Sequence, residues 1–183
     1  MIMTVAELHR FLQTDENDTV LEMKLQALEN SIRAYTNNNF MVRSYRAVAV
    51  SMSDHSIIVS GKCPFRPGDT LQITDSDLQQ DLLVVVSSVS DDGTVTVNED
   101  LVDESGIVVT KVVYPPDVKI GCVNLMKWDL ENREKVGVQS ETISRHSVTY
   151  FNMDQGNSTM GFPSSLLGFL RPYKKARFGG GVG

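Results

Sequence analysis

The stretch Leu82-Leu-Val-Val-Val-Ser-Ser-Val-Ser-Asp-Asp-Gly-Thr-Val-Thr-Val-Asn98 places two runs rich in β-branched residues on either side of Asp91-Asp92-Gly93. Short runs of this kind, parted by residues that supply the backbone freedom of a tight turn, read as strands and not as a helix. Outward from it the pattern repeats. Residues 43–50, 56–60 and 70–74 precede it and residues 106–113 follow, with Pro67-Gly68-Asp69 and Glu104-Ser105-Gly106 as further turns. Five or six strands in about seventy residues, mostly joined by short loops, predict a small barrel or sandwich. Between residues 42 and 113 eleven acids stand against five bases, so the outer face of this unit should be acidic.

Helical patterns flank the β-rich segment. Thr4 and Glu7 have the spacing of a capping box, and Val5, Leu8 and Leu12 follow on one helical face. Asp18 or Thr19 can cap a second helix whose stripe is Leu21, Leu25, Leu28, Ile32 and Tyr35, ended by Asn37-Asn38-Asn39. Pro115-Pro116-Asp117 starts a third, with Val118, Cys122, Leu125 and Trp128 on its apolar side, running to about Lys135 before Gly137 stops it. Gly121 inside it costs about 1 kcal/mol relative to alanine, which points to a close approach by a neighbouring helix. Residues 138–151 read as extended, a hairpin or a projecting arm. Pro163 opens a last short helix over 164–170, and the chain from Arg171 onward has no core pattern.

The fold class expected is therefore α+β: a small helical bundle with an inserted all-β unit (barrel- or sandwich-like), an extended arm and a C-terminal tail. Its divisions are residues 1–41, 42–114, 115–162 and 163–183. The acidic groups at Asp75, Asp77 and Asp81 and at Glu99, Asp100, Asp103 and Glu104 read as exposed loops. An EF-hand reading of the first fails, because Gln80 and Val86 occupy the positions that need Gly and Glu.

Chain length (183 residues), 41% apolar and 22% charged residues suit a globular protein, and the longest aliphatic run is far short of a membrane span. Met1-Ile-Met-Thr4 does not read as a secretory signal, and two cysteines cannot build a disulfide framework, so an intracellular, reducing setting is expected. No phosphate-cradling glycine loop, nucleophile elbow or paired-histidine metal motif is present. Three histidines and two cysteines are scattered singly, so neither catalysis nor a cofactor or metal is expected.

Charge is uneven. The net −6 divides into −10 before residue 155 and +4 after it, where Arg171, Lys174, Lys175 and Arg177 stand without an acid. Aromatics interleaved with these cations suit docking on a partner. An acidic body favours a protein partner over nucleic acid, although a small barrel with a basic tail remains an alternative nucleic-acid module.

Four stretches, in order, resemble the head–tail connector (adaptor) proteins of long-tailed double-stranded DNA bacteriophages. They are Ile32-Arg-Ala-Tyr-Thr-Asn-Asn-Asn-Phe40; Tyr114-Pro-Pro-Asp-Val118; Lys135-Val-Gly-Val-Gln-Ser-Glu-Thr-Ile-Ser-Arg-His-Ser-Val-Thr-Tyr150; and Gly161-Phe-Pro followed by Leu-Leu-Gly-Phe-Leu-Arg-Pro-Tyr-Lys-Lys-Ala-Arg-Phe178. The resemblance implies a non-enzymatic homo-oligomeric ring, usually dodecameric, in the virion at the head–tail interface and in the host cytoplasm during assembly. Its partners would be the portal protein on one side and a stopper or tail-completion protein on the other, with DNA passing through and no membrane involved. By position, Leu166, Leu167, Phe169, Leu170, Arg171, Tyr173, Lys174, Lys175, Arg177 and Phe178 would grip the portal. Ser140, Glu141, Arg145, His146 and Tyr150 would belong to an inter-subunit or channel-side arm. The β-unit at 42–113 departs from the smallest members of that family. A stopper or tail-completion protein of the same neck is the nearest alternative.

Overall fold

The computed structural model describes residues 1–132 and 158–176, and between them the backbone of Ser140–Ile143 and His146–Thr149. The chain divides into two compact units, Asn39–Val113 and Met1–Asn38 with Tyr114–Gly183.

The first unit is a closed barrel of five antiparallel strands: β1 (Met41–Val59), β2 (Thr70–Thr74), β3 (Leu83–Val89), β4 (Thr94–Glu104) and β5 (Ile107–Val112), in the order β1-β4-β3-β2-β5. Strand β1 serves two neighbours. Its Arg46–Ala49 portion lies against β5 and its later residues, Met52 to Ile58, against β4. Twelve extended residues would span about 40 Å, yet the Ser60 N–H donates to the Val48 carbonyl at 2.8 Å. The bend is taken at Asp54, which has φ 48°, between two irregularities of pairing. This corrects the expectation of two separate strands at 43–50 and 56–60: a one-residue kink replaces the loop.

Alternation along the strands fills the barrel. Ala47, Ala49, Ile57 and Val59 point inward while Val48, Val50 and Ile58 are exposed. Leu71, Ile73, Val84, Val86, Val95, Val97, Ile107 and Val109 complete the interior. Each such side chain contributes about 1.5–3 kcal/mol when fully buried, so the core is the principal stabilising term of this unit. Gly93 and Gly106 sit at φ 87° and 76°, a region that side-chain-bearing residues rarely adopt, in the turns where the sequence predicts them.

The acidic residues Glu99, Asp100, Asp103 and Glu104 are not a loop, because β4 runs on to Glu104. Two of them, Glu99 and Glu104, are structural, while Asp100 and Asp103 are exposed. Glu99 accepts a hydrogen bond from the Val85 N–H at 2.8 Å. Glu104 accepts from Ser76 Oγ at 2.6 Å, the Asp77 N–H at 3.2 Å and Gln79 Nε2 at 3.1 Å, pinning the loop after β2. With eleven acids and five bases, this unit carries the whole net charge of −6.

The second unit holds α1 (Val5–Leu8), α2 (Asp18–Thr36) and α3 (Pro116–Asn132). Both bonds of the Thr4–Glu7 capping box form. The α2 cap is Asn17, one residue before the expected start, because its side chain reaches the Thr19 N–H at 2.8 Å. Leu21, Leu25, Leu28 and Ile32 are buried as the stripe requires, but Tyr35 is only half-buried and Thr36 takes the interior position. From α3, Val118, Cys122, Leu125 and Met126 join this core. Residues 133–139, including the expected end of α3, lie outside the described residues. Ser140–Ile143 (β6) and His146–Thr149 (β7) pair antiparallel, Ser140 opposite Thr149. Among the described residues no helix is long and apolar enough to cross a membrane.

The most deeply buried carboxylate of this unit among the described residues is Glu29. Glu29 is 2% exposed and accepts from Tyr114 Oη at 2.7 Å, with the Met1 ammonium at 3.4 Å. Burial first, and the Glu29 charge second, push the Tyr114 phenol far above its usual value, so it stays a donor. Replacing Tyr114→Phe leaves Glu29 one donor short and is expected to lower stability by about 1–3 kcal/mol in denaturant titration. The Glu104 carboxyl is held below its ordinary 4.5 by the Ser76 hydroxyl and then the Gln79 amide. A depressed carboxylate contributes stability above its unfolded pKa and loses it as pH falls through the folded one. Amide-exchange protection of residues 76–79 should therefore drop as pH falls below 4.5, and Glu104→Gln should flatten that dependence.

Candidate partner-binding site

The C-terminal segment expected to lack a core pattern is built into the helical unit as far as Ala176. After the short pair β8 (Ser158–Thr159) and β9 (Phe162–Pro163), a 3₁₀ helix covers Ser164–Tyr173. Its inner side is apolar. Leu167 and Leu170 are buried, and the Phe162 ring meets Trp128 edge-on with centroids 5.5 Å apart. The ring of Phe169 lies so close over Gly121 that an added Cβ there would fall within it. A close approach does explain this glycine: what meets it is the Phe169 ring of the 3₁₀ helix.

Beyond Leu170 the contacts become polar. Tyr173 Oη lies 2.8 Å from both carboxylate oxygens of Asp117, in the first turn of α3, and that bond pushes the phenol above its usual value. Lys174 Nζ stands 3.7 Å from the centroid of the Tyr35 ring. The Lys175 N–H donates to the Thr36 carbonyl at 2.8 Å. Asn38 Nδ2 donates to the Tyr173 carbonyl at 3.1 Å and Asn37 Nδ2 to the Ala176 carbonyl at 3.0 Å. The final carbonyls of a helix lack partners within it, and its negative end attracts cations. Thus the end of α2 receives the Lys175 N–H and the Lys174 ammonium from the far end of the chain.

The site therefore has two parts. Leu167, Leu170 and much of Phe169 form an anchor in this chain's own core, so in this form the two leucines are not free for another protein. Arg171, Lys174 and Lys175 are exposed on an outer strap, with Leu166 and Tyr173 half-buried. Arg177, Phe178, Arg145 and Tyr150 lie outside the described residues. Ser140, Glu141 and His146 are placed by backbone alone, on β6 and β7, with His146 opposite Ile143.

Among the described residues, groups suited to chemistry do not converge. Among the described residues no three His, Cys, Asp or Glu side chains could hold a metal ion. His9 pairs with Asp18 at 2.9 Å and His55 with Asp100 at 3.1 Å, both at the surface. Burial, then the Glu29 charge, pushes the Cys122 thiol up to about 12, so it is a core group and a poor nucleophile.

No known protein-family model matches the chain, and no curated protein matches it at a significant level. What the structure adds to the site is therefore read from its own residues: Tyr35, Asn37, Asn38 and Asp117 hold the segment, a role the sequence did not assign to them, and Gly121, expected to mark a close approach, receives Phe169. The asparagine run was the available signal, since two side-chain amides beside a helix end can serve a second chain segment as well as a cap.

Gly121→Ala raises helix propensity by about 1 kcal/mol, yet it is expected to lower stability because Phe169 must leave its seat. With Phe169→Ala already present, the same change should stabilise. Melting the four proteins of this cycle tests the reversal of sign.

Proposed function

We propose that this protein is a structural adaptor of a bacteriophage neck, forming a ring that joins the portal of the DNA-filled head to a stopper or tail and lets DNA pass. It performs no catalysis and needs no cofactor. In this reading α1, α2 and α3 belong to a helical bundle forming the ring body, and residues 138–150 form an arm toward a neighbour or the channel. The C-terminal segment grips the portal in the virion, after assembly in the host cytoplasm.

Support comes from the four ordered stretches that resemble such adaptors and from the charge layout. The observation that carries the reading furthest is the strap: three exposed cations, Arg171, Lys174 and Lys175, presented on a segment whose apolar side is already anchored. Such a strap can change partners without unfolding the body. An acidic barrel repels DNA and so favours passage over retention. The closed barrel and the basic tail are what favour a nucleic-acid-binding module, and the excess of acids on the barrel opposes it. A stopper or tail-completion role in the same neck is the nearer alternative.

The full-length triple variant Arg171→Glu, Lys174→Glu, Lys175→Glu keeps the anchor and should fold normally. Its capture by purified portal-bearing heads is expected to fall at least tenfold below wild type. Unchanged capture would remove the strap from the interface, and no capture of the wild type would overturn the adaptor reading. DNA affinity that weakens steeply with salt would support the nucleic-acid module instead.

A further inference from the structure

The helical unit carries an apolar groove of about 260 Å³ between α1 and α3. Met3 and Val123 form its buried floor, while Phe11 (61% exposed) and Ile120 (48%) stand as uncovered walls. Cavities of about 150 Å³ accept a benzene-sized group, so this one takes a branched aliphatic side chain with room for its neighbours. At the rim, Glu7 is engaged with the Thr4 N–H at 3.0 Å and faces Lys119 Nζ at 4.0 Å. Arg10 is exposed and makes no ion pair among the described residues, so the rim presents a net positive charge.

The barrel unit offers the complement. Leu78 is 66% exposed at the tip of the loop after β2, beside the exposed Asp77. A single exposed leucine is ordinary. This one is held outward by a fixed scaffold: Glu104 binds the loop at Ser76, Asp77 and Gln79, and Gln79 also donates to the Val102 carbonyl at 3.0 Å. A knob already fixed in place loses little conformational freedom on docking.

We propose that copies of this chain join head to tail, Leu78 of one copy seating in the α1–α3 groove of the next and Asp77 facing Arg10 there. Knob and groove belong to different surfaces, so the contact is heterologous and propagates until a ring closes or a filament grows. The occupant is a second copy because the loop sits on the unit carrying all of the net −6, while the groove rim is cationic. The inference rests on the proposed function only for the closing of a ring.

Full-length Leu78→Asp and Ile120→Asp alter exposed side chains, and circular dichroism should find both folded. In sedimentation over a concentration series, wild type should self-associate more weakly as salt rises, and each variant should weaken association at least tenfold. Mixed together, one variant keeps an intact groove and the other an intact knob. They should form a one-to-one pair and nothing larger. Asp77→Arg should weaken association, and Arg10→Asp in the same chain should restore it. Monomeric wild type at all concentrations, Leu78→Asp associating like wild type, or a mixture that fails to pair would each overturn the proposal. Association through Leu78 without portal capture would keep this inference and sink the adaptor reading. Portal capture with association indifferent to Leu78 would do the reverse.

Discussion

Helix α2 ends because Asn37 adopts the left-handed conformation, φ 49° and ψ 39°, and the layout of the C-terminal segment follows from that one residue. The Asn37 N–H turns back to Ala34 and the Asn38 N–H to Arg33, closing the last turn. Another turn of helix would use the Thr36 carbonyl internally. Stopping there leaves that carbonyl for the Lys175 N–H and frees two asparagine amides for the carbonyls of Tyr173 and Ala176. The Lys174 ammonium then lies over Tyr35 in the last turn of α2, where the helix dipole is negative. A local backbone choice near residue 37 thereby positions residues nearly 140 places later in the chain.

Two kinds of interaction hold this segment, and their magnitudes separate their roles. Each buried leucine of the anchor contributes about 1.5–3 kcal/mol, whereas each polar contact of the strap contributes about 0.5–1.5 kcal/mol and exchanges readily with water. The ring of Phe169 over Gly121 marks the boundary between them. A partner competing for the strap needs to replace only polar contacts, while the anchor keeps the body intact. This division suits a segment proposed to bind elsewhere.

Much of the architecture was legible because it is written in local periodicity. Alternation over 82–98 marked two strands and their turn, and the stripe from Leu21 to Ile32 marked the buried face of α2. The continuity of β1 was hidden, since Ser53-Asp54-His55 looks like a loop and only closure of the barrel requires the chain to kink there without leaving the sheet. Glu99 and Glu104 looked like solvated loop acids because their backbone partners, Val85 and Asp77, lie well away in sequence. The site was less legible for the same reason. The basic and aromatic composition of residues 171–178 singled it out, but nothing local to it names Thr36, Asn38 or Asp117 as partners.

The fold-back of β1, with Ser60 meeting Val48, has one further consequence. Strand pairing in the barrel closes on itself, so no free edge is left to template pairing with another polypeptide. Whatever docks on this unit must therefore recognise side chains, which mutation can change one at a time while the scaffold beneath stays the same. Many copies can then crowd together without cross-β aggregation, and new surface specificities can arise without a new fold.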